Sequence, residues 1–125
     1  VLFRSMKLPI QYALYEAARL PLSGSRLDFK TLKQISFEAP DMETFRGLKL
    51  AYEAGRCGGT MPTVFNAANE WAVGRFLKRK IGFLEITDII DASMAAHEVT
   101  ENPSVEQILE TEASVYEFIE SRWNV

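Results

Sequence analysis

The sequence predicts a mainly α protein: a C-terminal antiparallel bundle of four to five helices, preceded by one helix and one strand cut from a larger sheet. Three observations predict it. Residues 60–77, TMPTVFNAANEWAVGRFL, run without a breaker and are apolar around most of a helical wheel. Such a segment belongs in the middle of a domain. From Asp41 onward, glycines and an Asn102-Pro103 pair divide the chain into amphipathic segments joined by short links, the pattern of a bundle. Leu32–Glu38 is the only stretch that alternates with period two, and a solitary strand leaves its own backbone groups unpaired.

The elements follow in order. Residues 1–5, VLFRS, fit no later element and read as a non-native leader. After Met6, Pro9 sits where a first helical turn tolerates it, and Ile10, Ala13, Leu14 and Ala17 recur at helical spacing up to Leu20-Pro21. In the strand, Ile35 and Phe37 alternate with Gln34, Ser36 and Glu38, and Ala39-Pro40 stops it. Asp41 is the expected N-cap of a helix over Met42–Ala54, with Phe45, Leu48, Ala51 and Tyr52 as its packing stripe. Gly58-Gly59 and the Thr60/Pro62 start signal lead into the central helix, where Val64, Ala67, Ala68, Trp71 and Ala72 share one arc. Lys78-Arg79-Lys80 closes it, cations favouring a helix C-terminus. A helix over roughly Glu85–His97 carries Ile86, Ile89, Ile90 and Met94. Ser104-x-x-Gln107 is a capping box with Val105, Ile108 and Leu109 facing inward behind it, and Val115, Phe118 and Ile119 continue the stripe in a last helix.

Composition narrows the function. With 125 residues, 47 % hydrophobic and 25 % charged, the chain is ordinary for one compact domain, or one domain with the edge of another. A net charge of −3 with no basic stripe gives nucleic acid no landing place. No apolar run reaches about 18 residues, so no helix is expected to span a membrane. The single cysteine, Cys57, forms no internal disulfide and fits a reducing, cytoplasmic setting.

Candidate chemistry is sparse. Asp88/Asp91 and Glu106/Glu110 have metal-ligand spacing, but lie on the exposed faces of amphipathic helices. Glu70 is the acid expected to be partly buried, with Asn66 and Asn69 beside it. All three are expected to bond the backbone of neighbouring turns. Gly55–Thr60 leads into a helix N-terminus, an anion-binding position, but a helix rather than a strand precedes it, and the glycines read as a tight turn. His97, alone near a helix end, reads as a surface or capping residue.

Several words of the sequence carry a resemblance. Met6–Leu14, MKLPIQYAL, resembles the M(R/K)-x-PIQYAL segment of the 1-deoxy-D-xylulose 5-phosphate reductoisomerase family. Leu27-Asp28-Phe29 and Ser36–Asp41, SFEAPD, are similar to that family's LDL…TFEEPD segments. Leu48–Gly55, LKLAYEAG, Gly58-Gly59-Thr60 and Phe65–Glu70, FNAANE, are similar to its LxLAYEAG helix and GGT…LNAANE core. Phe83–Ile90 resembles its FxxI…I helix. The resemblance runs in order from Met6 to about Trp123.

What the resemblance implies is an NADPH-dependent, Mg- or Mn-dependent oxidoreductase of non-mevalonate isoprenoid biosynthesis. It converts 1-deoxy-D-xylulose 5-phosphate to 2-C-methyl-D-erythritol 4-phosphate and works as a homodimer. Residues 6–40 would be the C-terminal edge of its α/β catalytic domain and residues 41–125 its C-terminal helical domain. The family's metal carboxylates, phosphate-binding residues, lid and nucleotide loop lie upstream of the Met6 motif, so no catalytic or metal-binding residue is expected in this chain. Its partner would be the rest of the reductoisomerase chain. Met6 alone carries over, as a residue near the nicotinamide; it reads equally as a helix-start packing residue. The family has Pro-Asp where this chain has Arg4-Ser5, which fits a foreign leader. The competing reading is a free-standing helical interaction module.

Overall fold

The computed structural model describes residues 6–21 and 28–123. Their helices are α1 (Lys7–Leu14), α2 (Phe29–Leu32), α3 (Arg46–Cys57), α4 (Met61–Leu77), α5 (Phe83–Ala96) and α6 (Val105–Arg122). The chain divides into two compact units, Val1–Ala39 and Pro40–Val125. The leader expected over residues 1–5 lies outside the described residues.

In the first unit α1 is shorter than its sequence pattern. It ends at Leu14 because Glu16 and Ala17 take positive φ, 49° and 68°, and Ala17 N–H turns back to the Tyr12 carbonyl at 2.9 Å. None of the expected Ile10/Ala13/Leu14 face is buried, and α1 as a whole buries no residue. The strand expected over Leu32–Glu38 does not form. Leu32 instead closes α2, which Asp28 caps by accepting from Lys30 N–H at 3.0 Å, and residues 33–40 take no regular structure. Period-two alternation specifies a face, and a strand also needs a neighbour to pair its backbone. No strand is present among the described residues to supply one. Ile35 and Phe37 accordingly stand 52 % and 93 % exposed.

The second unit is the expected bundle, built on α4. Its Val64, Ala67, Ala68 and Ala72 are buried, and α3, α5 and α6 all pack on it. Small alanines on that arc let neighbouring helices approach closely. Ile89 and Ile90 of α5 and Val115 and Ile119 of α6 complete the core with Leu50 and Ala54 of α3. Boundaries moved where side chains acted locally. Asp41 caps a turn ahead of α3, accepting from Glu43 and Thr44 N–H at 3.1 and 3.0 Å, and α3 itself begins at Arg46. These bonds, the Thr44 hydroxyl first, hold the Asp41 carboxyl below its ordinary range. At α6 the Ser104–Gln107 capping box forms in both directions, and one continuous helix takes the place of two. Val105 and Leu109, expected to face inward, are 66 % and 59 % exposed, because the first turns of α6 run beyond the core.

Candidate functional site

Met6, in the first unit, is the residue ahead of α1. Its carbonyl accepts Ile10 N–H at 3.1 Å, its side chain makes no capping bond, and it is largely exposed. Beyond it lies an open hollow of ≈ 280 Å³, whose lining includes Leu8, Pro9, Gln11, Tyr12, Arg19 and Leu20 but not Met6. Gln11 Nε2 donates to the Pro21 carbonyl at 3.4 Å, and the Arg19 guanidinium stands 5.1 Å from the Tyr12 ring centroid. Among the described residues the hollow thus offers one cation and one phenol, with no carboxylate or imidazole to exchange a proton with them.

The densest polar junction of the second unit lies where α4 begins. Gly58 and Gly59 take φ of 71° and 55°, and a Cβ on Gly59 would collide with the Thr100 carbonyl. Glycine is required there by both conformation and space. Thr60 is completely buried. Its N–H donates to the Thr100 carbonyl at 3.1 Å and its Oγ1 accepts from Thr100 N–H at 3.0 Å. The same hydroxyl lies 2.7 Å from His97 Nε2. Burial pushes the His97 pKa below its ordinary value, partly offset by Glu98, so the ring is neutral at pH 7. Its tautomer sets whether Thr60 donates to Nε2 or Nε2–H donates to Thr60. Thr60 therefore spends its hydroxyl on tying α5's end and the 98–103 connection to α4, and gives α4 no side-chain cap. A hydroxyl sealed from solvent meets no substrate, so this junction is a pin. His97 is indeed the C-cap residue of α5; its bond to Thr60, 37 residues away, had no signal in the sequence.

The carboxylates are likewise engaged in structure. Arg46 spans Asp88 at 2.9 Å and Asp91 at 2.7 Å, so the pair with metal-ligand spacing serves to join α3 to α5. Glu70 is exposed, and it accepts from Asn66 Nδ2 at 3.1 Å instead of bonding a neighbouring turn's backbone. On α6, exposed Glu106 is held below its ordinary range by its own backbone N–H and the Ser104 hydroxyl. Tyr116 donates to Glu112 Oε1 at 2.9 Å, and desolvation first, then that bond, pushes its pKa up to about 12, leaving a protonated phenol. Cys57 is exposed and reduced. Among the described residues, no group of three or more His, Cys, Asp or Glu side chains could hold a metal, and no helix is long and apolar enough to cross a membrane.

Fold and junctions together define a class: a helical-bundle domain, with a shorter helical unit ahead of it, whose polar groups tie helices to one another. Residues 3–118 match the family described as the DXP reductoisomerase C-terminal domain. The chain belongs to the DXP reductoisomerase family. It is 57 % identical over 118 residues to the 1-deoxy-D-xylulose 5-phosphate reductoisomerase of Agathobacter rectalis, covering 94 % of this chain and 31 % of that protein. It is 59 % identical over 118 residues to the enzyme of the same name from Lachnospira eligens, again covering 94 % and 31 %. Among solved structures it is similar to the Zymomonas mobilis reductoisomerase in complex with NADPH, with TM-score 0.82 and 35 % identity over 98 % of this chain and 32 % of that one. The chain thus spans about a third of the length of the curated relatives it matches.

Proposed function

We propose that the chain is the C-terminal part of a reductoisomerase that converts 1-deoxy-D-xylulose 5-phosphate to 2-C-methyl-D-erythritol 4-phosphate with NADPH and Mg or Mn. The observation that carries the reading is a match running through nearly the whole of this chain to relatives about three times its length. In this reading residues 6–40 are the edge of the catalytic domain and residues 41–125 the C-terminal helical domain. Met6 stands near the nicotinamide. In the same reading the metal's ligands come from the remainder of the longer chain, the partner of this part. The intact enzyme is a homodimer in the cytoplasm, a compartment that suits the lone exposed thiol of Cys57.

The part played by these residues is support. Burying a few large apolar side chains against the rest of the enzyme stabilises the junction by roughly 1.5–3 kcal/mol each. Loss of that junction loosens the catalytic site without removing a reacting group. The exposure of Ile35 and Phe37 favours this reading over a free-standing interaction module, which would cover them with its own helices. The test is an assay of the 125-residue chain with substrate, NADPH and manganese. No turnover above the blank is expected, and measurable turnover refutes the support role.

A further inference from the structure

The first helix of the second unit is apolar on two opposite sides. Leu50 and Ala54 of α3 are buried, and Gly47 approaches the Thr87 methyl of α5. At about 100° per residue, Leu48 and Tyr52 point roughly 120–160° away from Leu50 and Ala54. They are 40 % and 50 % exposed, and Phe45, one turn earlier, is 64 % exposed. The Arg56 guanidinium lies 5.5 Å from the Tyr52 ring centroid at one end of this face. About 20° to the other side of Leu48 on the wheel comes Gly55, where an added Cβ would meet nothing within 4 Å, so a partner's backbone can approach this edge of the face closely. The stripe that reads in the sequence as the packing face of α3 is therefore its outward face.

We infer that the Phe45/Leu48/Tyr52 face of α3 is the surface on which the upstream part of the same polypeptide docks. This rests on the reading of the chain as one part of a longer reductoisomerase. Three observations select that occupant. Some two thirds of the relatives' length lies outside this chain, and the matched domain is the C-terminal one, so the absent part comes before it. Helix α3 is the first helix after the boundary at Pro40, so the polypeptide enters the second unit through it. The stripe is also small. Three large side chains fall short of the roughly 800 Å² per partner of a stable interface between separate molecules. A covalently linked neighbour is held at high effective concentration and needs no such area.

Hydroxyl-radical footprinting of the 125-residue chain and of the complete reductoisomerase polypeptide carrying it tests the assignment. Phe45 and Tyr52 are expected to oxidise several-fold more slowly in the complete polypeptide. Equal oxidation in both overturns the inference. Protection that vanishes when the complete polypeptide is diluted to single chains assigns the face to a second copy, and overturns it too. Leu48→Glu supplies a second readout: unchanged helicity in the 125-residue chain and a lower Tm in the complete polypeptide. An unchanged Tm there counts against docking. If the variant unfolds the short chain, the footprinting of the unmutated proteins decides. Turnover by the 125-residue chain would remove the underlying reading, whereas unchanged footprinting removes only this face.

Discussion

Thr60 concentrates more of the second unit's connectivity than any other polar residue. Its hydroxyl serves Thr100 N–H and His97 Nε2 at once, with no exposure to water. Thr60→Val keeps the shape and leaves both partners unmatched, so a loss of about 1–3 kcal/mol is expected in chemical denaturation. Gly59→Ala is expected to cost at least as much, since the new Cβ collides with backbone at a positive φ. The same junction gives stability a pH dependence of defined sign. His97 has a lower pKa folded than unfolded, so as pH falls the unfolded chain takes up its proton first. This contribution is complete above the ordinary histidine value of 6.5 and is lost as pH drops from there toward the folded pKa. His97→Gln, which cannot titrate, should flatten the fall of Tm just below pH 6.5. An unchanged slope would show that His97 is not its source.

Among the helices, the end of α4 shows a local rule obeyed with an unfavoured residue. Lys80 N–H returns to the Arg75 carbonyl at 2.9 Å and Arg79 N–H to the Phe76 carbonyl at 2.8 Å, the paired bonds of a Schellman cap. Arg79 holds the left-handed position at φ 57°, where glycine is usual. Arg79→Gly is expected to raise stability by about 1 kcal/mol, the strain relieved outweighing one exposed cation at the dipole's end. A drop in Tm would mean that the cation matters more. The clamp between α3 and α5 should matter little. Arg46 is about half exposed, so Arg46→Ala should cost no more than about 1 kcal/mol. Ile89→Ala, at a fully buried site, should cost about 2–5 kcal/mol. Legibility in the sequence also divides by element. The α4 arc and the Ser104–Gln107 box were readable because one helix contains the whole signal. The α3 stripe misled because the helix is apolar on both sides, and a wheel does not say which side meets the bundle. The Leu32–Glu38 strand misled because alternation reports a face and says nothing of a pairing partner. The Thr60–His97–Thr100 pin left no trace, since contacts between segments some 40 residues apart have no period.

At the scale of the whole molecule, the two units should differ sharply in local stability. Val64, Ile89 and Ile119 have no exposed surface and sit on three helices that pack on one another, so opening any of them disrupts the shared core. Their amides should exchange only through global unfolding of the second unit. Helices α1 and α2 bury no residue, and an eight-residue helix without a packed face is marginal in water. The free energy of opening them is therefore near zero. Hydrogen exchange on the 125-residue chain should show amides of α1 exchanging roughly 10³-fold faster than those at the middle of α4, the ratio set by even about 4 kcal/mol of domain stability. In the complete polypeptide, with the catalytic domain proposed to surround residues 6–40, exchange in α1 should slow while that in α4 changes little. Protection of α1 equal to that of α4 in the short chain would mean that the first unit is stable by itself. It would then need no larger enzyme to complete it.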